Sequence, residues 1–440
     1  MKSPSPGSLF IHGMLLLATY ASAIRVDDDA LESVPGTVSM SLGFSHNDNA
    51  GGLTINKRQV GVSLHRDLLK RQYNVEISIG SPRQTLLLPL DMASDVLWVK
   101  EKPTSQPGTT GFDIKKSATL KPLNYHWQMK YPQNDCAIIR FDSYRDNATV
   151  GSIIVKDLIF ATAPEQRSVG ANFGGVDGVF GLGLQWEGNR ETPIPSSNSL
   201  MKALLDQQAI YRRVFSLNLQ ESDSHDGLVL LGGLDSKKYS GNLVKQRTIK
   251  GKNSDSCQHE GASACENGYV IPVKRITTTS PWHQPVTVAD TPRGEPYLLD
   301  SSSTINFFSQ TVIQRILEQF PGARPVEGLP LFEIDCQPRM IKGSIDFTIG
   351  DAVIKVPNRD FIWHIKPLPG RCFLPMMDSK EAGCNVLGQP FLSAAYVVID
   401  QDNRDVYLGN KADCGSNEVA LRPSDRIDRQ FGECPESSGD

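Results

Sequence analysis

The sequence predicts a mainly β protein built as two related lobes. Three observations carry this. Short runs of Val, Ile, Leu and Phe are broken throughout by Gly, Pro, Asn and Asp, and 37 glycines with 28 prolines fit a turn-rich chain of strands. At 440 residues the chain is too long for one ordinary core, so two lobes are the default. An apolar run that ends in aspartate also occurs twice, once in each half: Leu86-Leu87-Leu88-Pro89-Leu90-Asp91 and Tyr297-Leu298-Leu299-Asp300. A carboxylate that ends a buried strand is costly unless it is hydrogen-bonded or put to use. Its recurrence suggests a duplicated lobe that contributes one carboxyl from each copy.

The elements follow in order along the chain. Lys2, the apolar stretch Leu9 to Ala18 and the small residues Ala21-Ser22-Ala23 form a secretory signal peptide over residues 1–23. Residues 24 to about 70 are polar, with Asp27-Asp28-Asp29 and a Gly/Asn-rich patch from Asn47 to Gly52, and are expected to pack poorly. The dibasic pairs Lys57-Arg58 and Lys70-Arg71 mark a cleaved pro-segment. Residues 24–58 are its preferred extent, because a cut after Arg71 would fall at the very edge of the first strong strand, Tyr73 to Ile79.

Strand-like runs then define an N-terminal lobe over 73–245. Helical spacing shows in Ser199 to Gln208, through Leu200, Ala203, Leu204 and Gln207. Gly251 to Gly268 is polar and cysteine-bearing, near the lobe boundary. A C-terminal lobe over 246–414 has a second strand series and one amphipathic helix, Gln310 to Gln319. Residues 415–440 are a polar tail. Both halves hold a strand, an aspartate turn, a helix and an apolar-apolar-Gly strand, which is a weak internal duplication. Gly181 and Gly388 in those last strands are required because another backbone passes close.

Composition narrows the function. A net charge of −4 without a basic run argues against nucleic acid as a partner. Nothing after the leader is long and apolar enough to span a membrane, and the C-terminus lacks the apolar tail of a glycolipid anchor. The expected destination is outside the cell, with the vacuole as the alternative within the secretory pathway. Eight cysteines in an oxidising compartment suggest disulfides. No Cys-x-x-Cys pair exists, so zinc is disfavoured and neither metal nor cofactor is expected. Cys257 and Cys265 flank a polar loop and are placed to staple it. Asn147-Ala148-Thr149 is the one N-glycosylation sequon.

Residues 73 to 414 resemble the pepsin-like aspartic proteases of the secreted fungal type, with degenerate active-site turns. Ile79-Gly80-Ser81-Pro82-Arg83-Gln84 stands where a Gly-Thr-Pro-Pro-Gln turn is usual. Asp91 precedes Trp98 with the spacing of Asp-Thr-Gly-Ser-Ser-Asp-Leu-Trp-Val. Phe112 with Ser117-Ala118-Thr119 is similar to the approach to the flap, which puts Tyr131 at the flap tyrosine. Val176-Asp177-Gly178-Val179-Phe180-Gly181-Leu182-Gly183, Leu231-Gly232-Gly233-Leu234-Asp235, Val386-Leu387-Gly388-Gln389-Pro390-Phe391-Leu392 and Tyr396-Val397-Val398-Ile399-Asp400 follow in the family's order. The resemblance implies the bilobal acid protease fold, two six-stranded-type β lobes with a central cleft, a Cys336–Cys372 disulfide, and a monomer.

It also implies a mechanism. Asp91 and Asp300 would hold a water, and since like charges in one site cannot both ionise, they would share one proton; aspartic proteases are the standing example of such a pair. One carboxylate then takes a proton from the water while the other donates to the carbonyl oxygen. Ser94 and Ser303 would hydrogen-bond the outer carboxylate oxygens, Tyr131 would close over substrate, and Trp98 would support the tyrosine hydroxyl. The partner would be an extended polypeptide using main-chain hydrogen bonds.

The turns depart from the family's Asp-Thr-Gly, reading Asp91-Met92-Ala93 and Asp300-Ser301-Ser302. Ser301 can hydrogen-bond across the lobes; Met92 cannot. Ala93 and Ser302 keep a backbone N–H but add bulk and resist φ > 0. The expected function is therefore a secreted aspartic-type endopeptidase. The alternative is a catalytically impaired pepsin-fold protein that binds peptide or protein in its cleft.

Overall fold

The computed structural model describes residues 35–43, 73–102, 110–131, 137–164, 177–184, 199–219, 226–251, 264–280, 283–326, 331–364 and 371–435. The signal peptide, both dibasic pairs, Cys136 and Cys257 lie outside the described residues.

Alternation along each strand dictates how it lies. In Asn74–Ile79, Val75, Ile77 and Ile79 are buried while Glu76 and Ser78 between them are half-exposed. Its antiparallel neighbour Gln84–Asp91 turns Leu86, Leu88 and Leu90 into the same core. Fully burying a leucine contributes roughly 1.5–3 kcal/mol, so a one-residue slip here would forfeit the whole face.

The largest sheet has 14 strands. One end is built from both termini of the chain. Tyr239–Arg247, Asp405–Lys411, Ala395–Asp400, Val214–Asn218, Asp226–Leu231 and Val38–Gly43 pair antiparallel in succession. The sheet then continues through Asn74–Ile79 and Gln84–Asp91 to the hairpin Lys121–Tyr131 and Ala137–Val150. A separate seven-stranded sheet and a four-stranded sheet make the second lobe, dominated by the long hairpin Val270–Ser280 and His283–Leu299. The fold is thus two β lobes joined by a sheet that draws on both ends of the chain. The two helices expected from periodicity are Ser199–Asp206 and Gln310–Leu317, the latter capped by Ser309, whose Oγ accepts the Val312 N–H. No described helix is long and apolar enough to cross a membrane.

The lobes are related at the atomic level. Asp91 pairs in parallel with Gly181, and Leu299 with Leu387. A Cβ on Gly181 would stand 2.3 Å from Val96 O and 2.7 Å from Ser94 O; one on Gly388 would stand 2.1 Å from Ile305 O and 2.6 Å from Ser303 O. These are corresponding carbonyls, three and five residues beyond each aspartate. The close backbone passage is why glycine sits at both positions.

Three expectations need correcting. The polar stretch from 24 to about 70 is not uniformly loose: Val38–Gly43 pairs over six positions with Asp226–Leu231, and Val38 and Met40 are buried. Residues 415–440 are not an appendage either. Glu418–Ala420 pairs with Gly233–Asp235, Phe431–Glu433 pairs with Tyr239–Arg247, and a Cys414–Cys434 disulfide closes the segment. Arg212, buried against Asp400, also donates to Asp425 O at 3.1 Å and so ties the segment to the sheet. Finally, Cys265 does not staple its own loop to Cys257; it is bonded to Cys384. Cys336 is bonded to Cys372.

Candidate active site

Each aspartate ends a strand whose parallel neighbour fixes its exit. Leu182 donates its N–H to Asp91 O at 2.8 Å, and Asp300 donates its N–H to Leu387 O at 3.2 Å. Beyond each aspartate the chain turns back on its own carboxylate. Asp91 Oδ1 accepts the N–H groups of Ala93 at 2.7 Å and Ser94 at 3.1 Å. Asp300 Oδ1 accepts the Ser302 N–H at 2.8 Å and the Ser302 hydroxyl at 2.7 Å. Hydrogen bonds to an ionised acceptor are about twice as strong as neutral ones, so both turns are organised for negative charge.

The replaced glycines do not strain these turns. Among the described residues, positive φ outside glycine occurs at Asn124, Asp157, Gln208 and Arg404, not at Ala93 or Ser302. The expectation that added bulk opposes a φ > 0 geometry is corrected: the amides reach the carboxylates in ordinary backbone conformations. Ala93 instead packs its methyl against the cluster of Val270, Leu298 and Val386 in the other lobe.

The two turns are joined across the lobes. Ser301, fully buried, donates its hydroxyl to Leu90 O at 2.8 Å and accepts the Met92 N–H at 3.2 Å. The reciprocal bond is missing, because Met92 is an apolar side chain in the main core. Gln389 supports the tie, its Nε2 donating to Ser301 O at 3.2 Å. Tyr269 spans the seam elsewhere, donating to Leu182 O at 2.7 Å, and Gln401 Nε2 donates to Leu182 O at 3.0 Å. Sequence reasoning did not find Gln389, Tyr269 or Gln401, since nothing local distinguishes them from other polar residues.

The supporting hydroxyls are arranged differently from expectation. Ser303 Oγ donates to Ile305 O at 2.8 Å, and Ser94 Oγ accepts the Val96 N–H at 3.4 Å. Each serine serves its own turn instead of an outer carboxylate oxygen. The hydroxyl on Asp300 comes from Ser302, which the sequence reading treated only as bulk. The run of three serines after Asp300 was the signal that more than one hydroxyl was within reach.

Trp98 is buried edge-on to Phe141 with ring centroids 5.6 Å apart, and Trp127 stacks on the same ring at 4.2 Å. Tyr131 is the last residue of Lys121–Tyr131 and pairs with Ala137 across the hairpin. Strand Trp98–Lys100 and this hairpin belong to one sheet, joined through Ile153–Ala163. Asn147 is exposed where the Ala137–Val150 strand shifts register, and its Oδ1 accepts the Asp157 N–H at 3.1 Å. Among the described residues no three His, Cys, Asp or Glu side chains are grouped to hold a metal ion.

The electrostatics single out the pair. Burial, and then the charge of Asp300, push the Asp91 carboxyl up to about 7 from 3.8. Burial likewise raises Asp300. The charge of Asp300 makes ionisation of Asp91 harder, which favours a singly ionised pair.

The family model described as eukaryotic aspartyl protease matches residues 72–411. The chain belongs to that family. Secreted aspartic protease 4 of Candida albicans is 27% identical over 398 residues, covering 85% of this chain and 84% of the relative. An acid protease of Saccharomycopsis fibuligera is 29% identical over 377 residues, covering 84% and 87%. In three dimensions the aspartyl protease fold is shared with an aspartic proteinase from Irpex lacteus, with a TM-score of 0.61 at 19% identity, covering 86% of this chain and 97% of that one.

Proposed function

We propose that this protein is a secreted aspartic endopeptidase in which Asp91 and Asp300 activate a water for attack on a peptide bond. The observation that carries the reading is the pair itself. Two carboxyls stand on equivalent turns of the two lobes, the turns are tied through Ser301, and the charge of Asp300 helps raise Asp91. The deprotonated carboxylate takes a proton from the water as its oxygen bonds to the carbonyl carbon; the protonated one donates to the carbonyl oxygen. The resulting diol collapses as a proton passes to the amide nitrogen and the C–N bond breaks. An extended polypeptide would lie in the cleft under the hairpin that carries Tyr131, with Trp98 at its base. Relatives named as secreted proteases, together with the leader-like N-terminus, support export from the cell.

A second reading is favoured by Met92, which removes one of the two cross-lobe hydroxyl bonds: a pepsin-fold protein that binds peptide without cutting it. The two are separated by hydrolysis of a mixed peptide library at acid pH, with Asp91→Asn and Asp300→Asn beside the native chain. Cleavage that disappears in both variants supports the protease. Absence of cleavage by the processed native protein, with retained binding of a peptide bearing a secondary alcohol in place of the scissile bond, supports the binder and overturns the protease.

A further inference from the structure

Ala93 and Ser302 occupy equivalent places, each two residues past its aspartate, but only Ser302 has a hydroxyl. The carboxylates are therefore served unequally. Asp91 accepts two backbone N–H groups, from Ala93 and Ser94. Asp300 accepts the N–H groups of Ser302 and Ser303 and, in addition, the Ser302 hydroxyl at 2.7 Å. That hydroxyl has one proton to give and gives it to Asp300; its lone pairs remain to accept from a protonated neighbour. It favours the charged form of Asp91 as well, but its direct hydrogen bond is to Asp300. The charged groups here are the two aspartates, each facing the other, and Asp95 later in the Asp91 turn.

We propose that Ser302 is a positioning residue that fixes the negative charge of the pair on Asp300 and leaves the shared proton on Asp91. This rests on the protease reading and assigns its two roles. Asp300 is the base that takes the water's proton as the water oxygen bonds to the carbonyl carbon. Asp91 is the acid, whose proton goes to the carbonyl oxygen. After this step Asp300 holds a proton and Asp91 the charge; Asp300 then protonates the leaving nitrogen while Asp91 recovers a proton from the diol. The hydroxyl of Ser302 stabilises only the starting arrangement, so it sets the pH at which the base becomes available.

The test is the pH dependence of kcat/KM, whose acidic limb reports the base in the free enzyme. Ser302→Ala and Ser302→Gly should each move that limb up by about one pH unit, the shift expected from losing one hydrogen bond to a charged group. Ser302→Thr, which keeps the hydroxyl, should retain the native limb. Ser302→Gly adds no bulk to the turn, which keeps the measurement available if Ser302→Ala folds poorly. Limbs that superimpose on the native profile overturn the proposal. A limb that moves equally in Ser302→Thr also overturns it, because the shift then follows the backbone and not the hydroxyl. Calorimetric binding of the secondary-alcohol peptide across the same pH range needs no turnover. A binding limb that moves in the Ala and Gly variants of a protein that cleaves nothing upholds the role of Ser302 while the protease reading fails. A binding limb that stays in place overturns Ser302 regardless of activity.

Discussion

Replacing Ser301 with alanine should be far more damaging than loss of one hydroxyl usually is. Its Oγ makes two bonds across the turns: it donates to Leu90 O and accepts from Met92 N–H. Ser301→Ala leaves a carbonyl and an amide without this partner at a buried seam. Each unsatisfied buried group costs about 1–3 kcal/mol, so the pair costs roughly 2–6 kcal/mol against a typical total of 5–15 kcal/mol. In a turn pair with a reciprocal hydroxyl at position 92 the second bond would limit the damage; Met92 offers none. The assay is equilibrium urea unfolding of native, Ser301→Ala and Ser301→Thr chains, followed by fluorescence and circular dichroism. Ser301→Thr retains the hydroxyl and should fall within about 1 kcal/mol of the native chain. A Ser301→Ala loss below about 0.5 kcal/mol would refute the reasoning, since it would mean that neither Leu90 O nor Met92 N–H depends on Ser301.

Other outcomes follow from the same structure. The folded state holds the Asp91 proton up to about pH 7, whereas the unfolded chain releases it near 3.8. The native state therefore binds more protons between those values. The associated stability is full below about pH 4 and is lost as pH rises through 7, a difference on the order of 4 kcal/mol. Urea midpoints at pH 4 and pH 8 should show it, and Asp91→Asn should flatten the difference. Gly388→Ala places a Cβ 2.1 Å from Ile305 O, a backbone atom that cannot move aside cheaply; a cost of about 3 kcal/mol, seen as a lowered Tm, is expected. Cys434→Ser opens a link between residues 20 apart and should cost about 3 kcal/mol. A thermal melt indistinguishable from the native one would show that Phe431–Glu433 is held without the bridge.

Most of the fold was legible because burial writes itself into local patterns. Val75, Ile77 and Ile79 alternate with polar neighbours, Gln310–Leu317 repeats at helical spacing, and Gly181 and Gly388 mark close backbone passages. What escaped was decided by long-range competition. Glu418–Ala420 and Phe431–Glu433 are short strands among polar residues, and only scattered positions such as Leu421 and Ile427 turn inward. The pairing of Cys265 with Cys384 depends on how the second lobe folds back. At the site, residue types placed Asp91, Asp300 and the cross-lobe role of Ser301. Hydroxyl partners were not legible, because each is a rotamer choice: Ser303 serves Ile305 O, which frees the contact with Asp300 for Ser302.

The strand Val38–Gly43 has a consequence for material balance. It sits between Asp226–Leu231 and Asn74–Ile79 in the shared sheet, and both dibasic pairs lie downstream of it, before residue 73. Any cut in that interval turns a covalent part of the sheet into a bound peptide. Its occupancy then obeys mass action, contributing RT ln(1 + [peptide]/Kd) instead of a fixed term. A processed sample would therefore lose stability on dilution or dialysis while its intact precursor would not, and the two could be told apart by concentration alone.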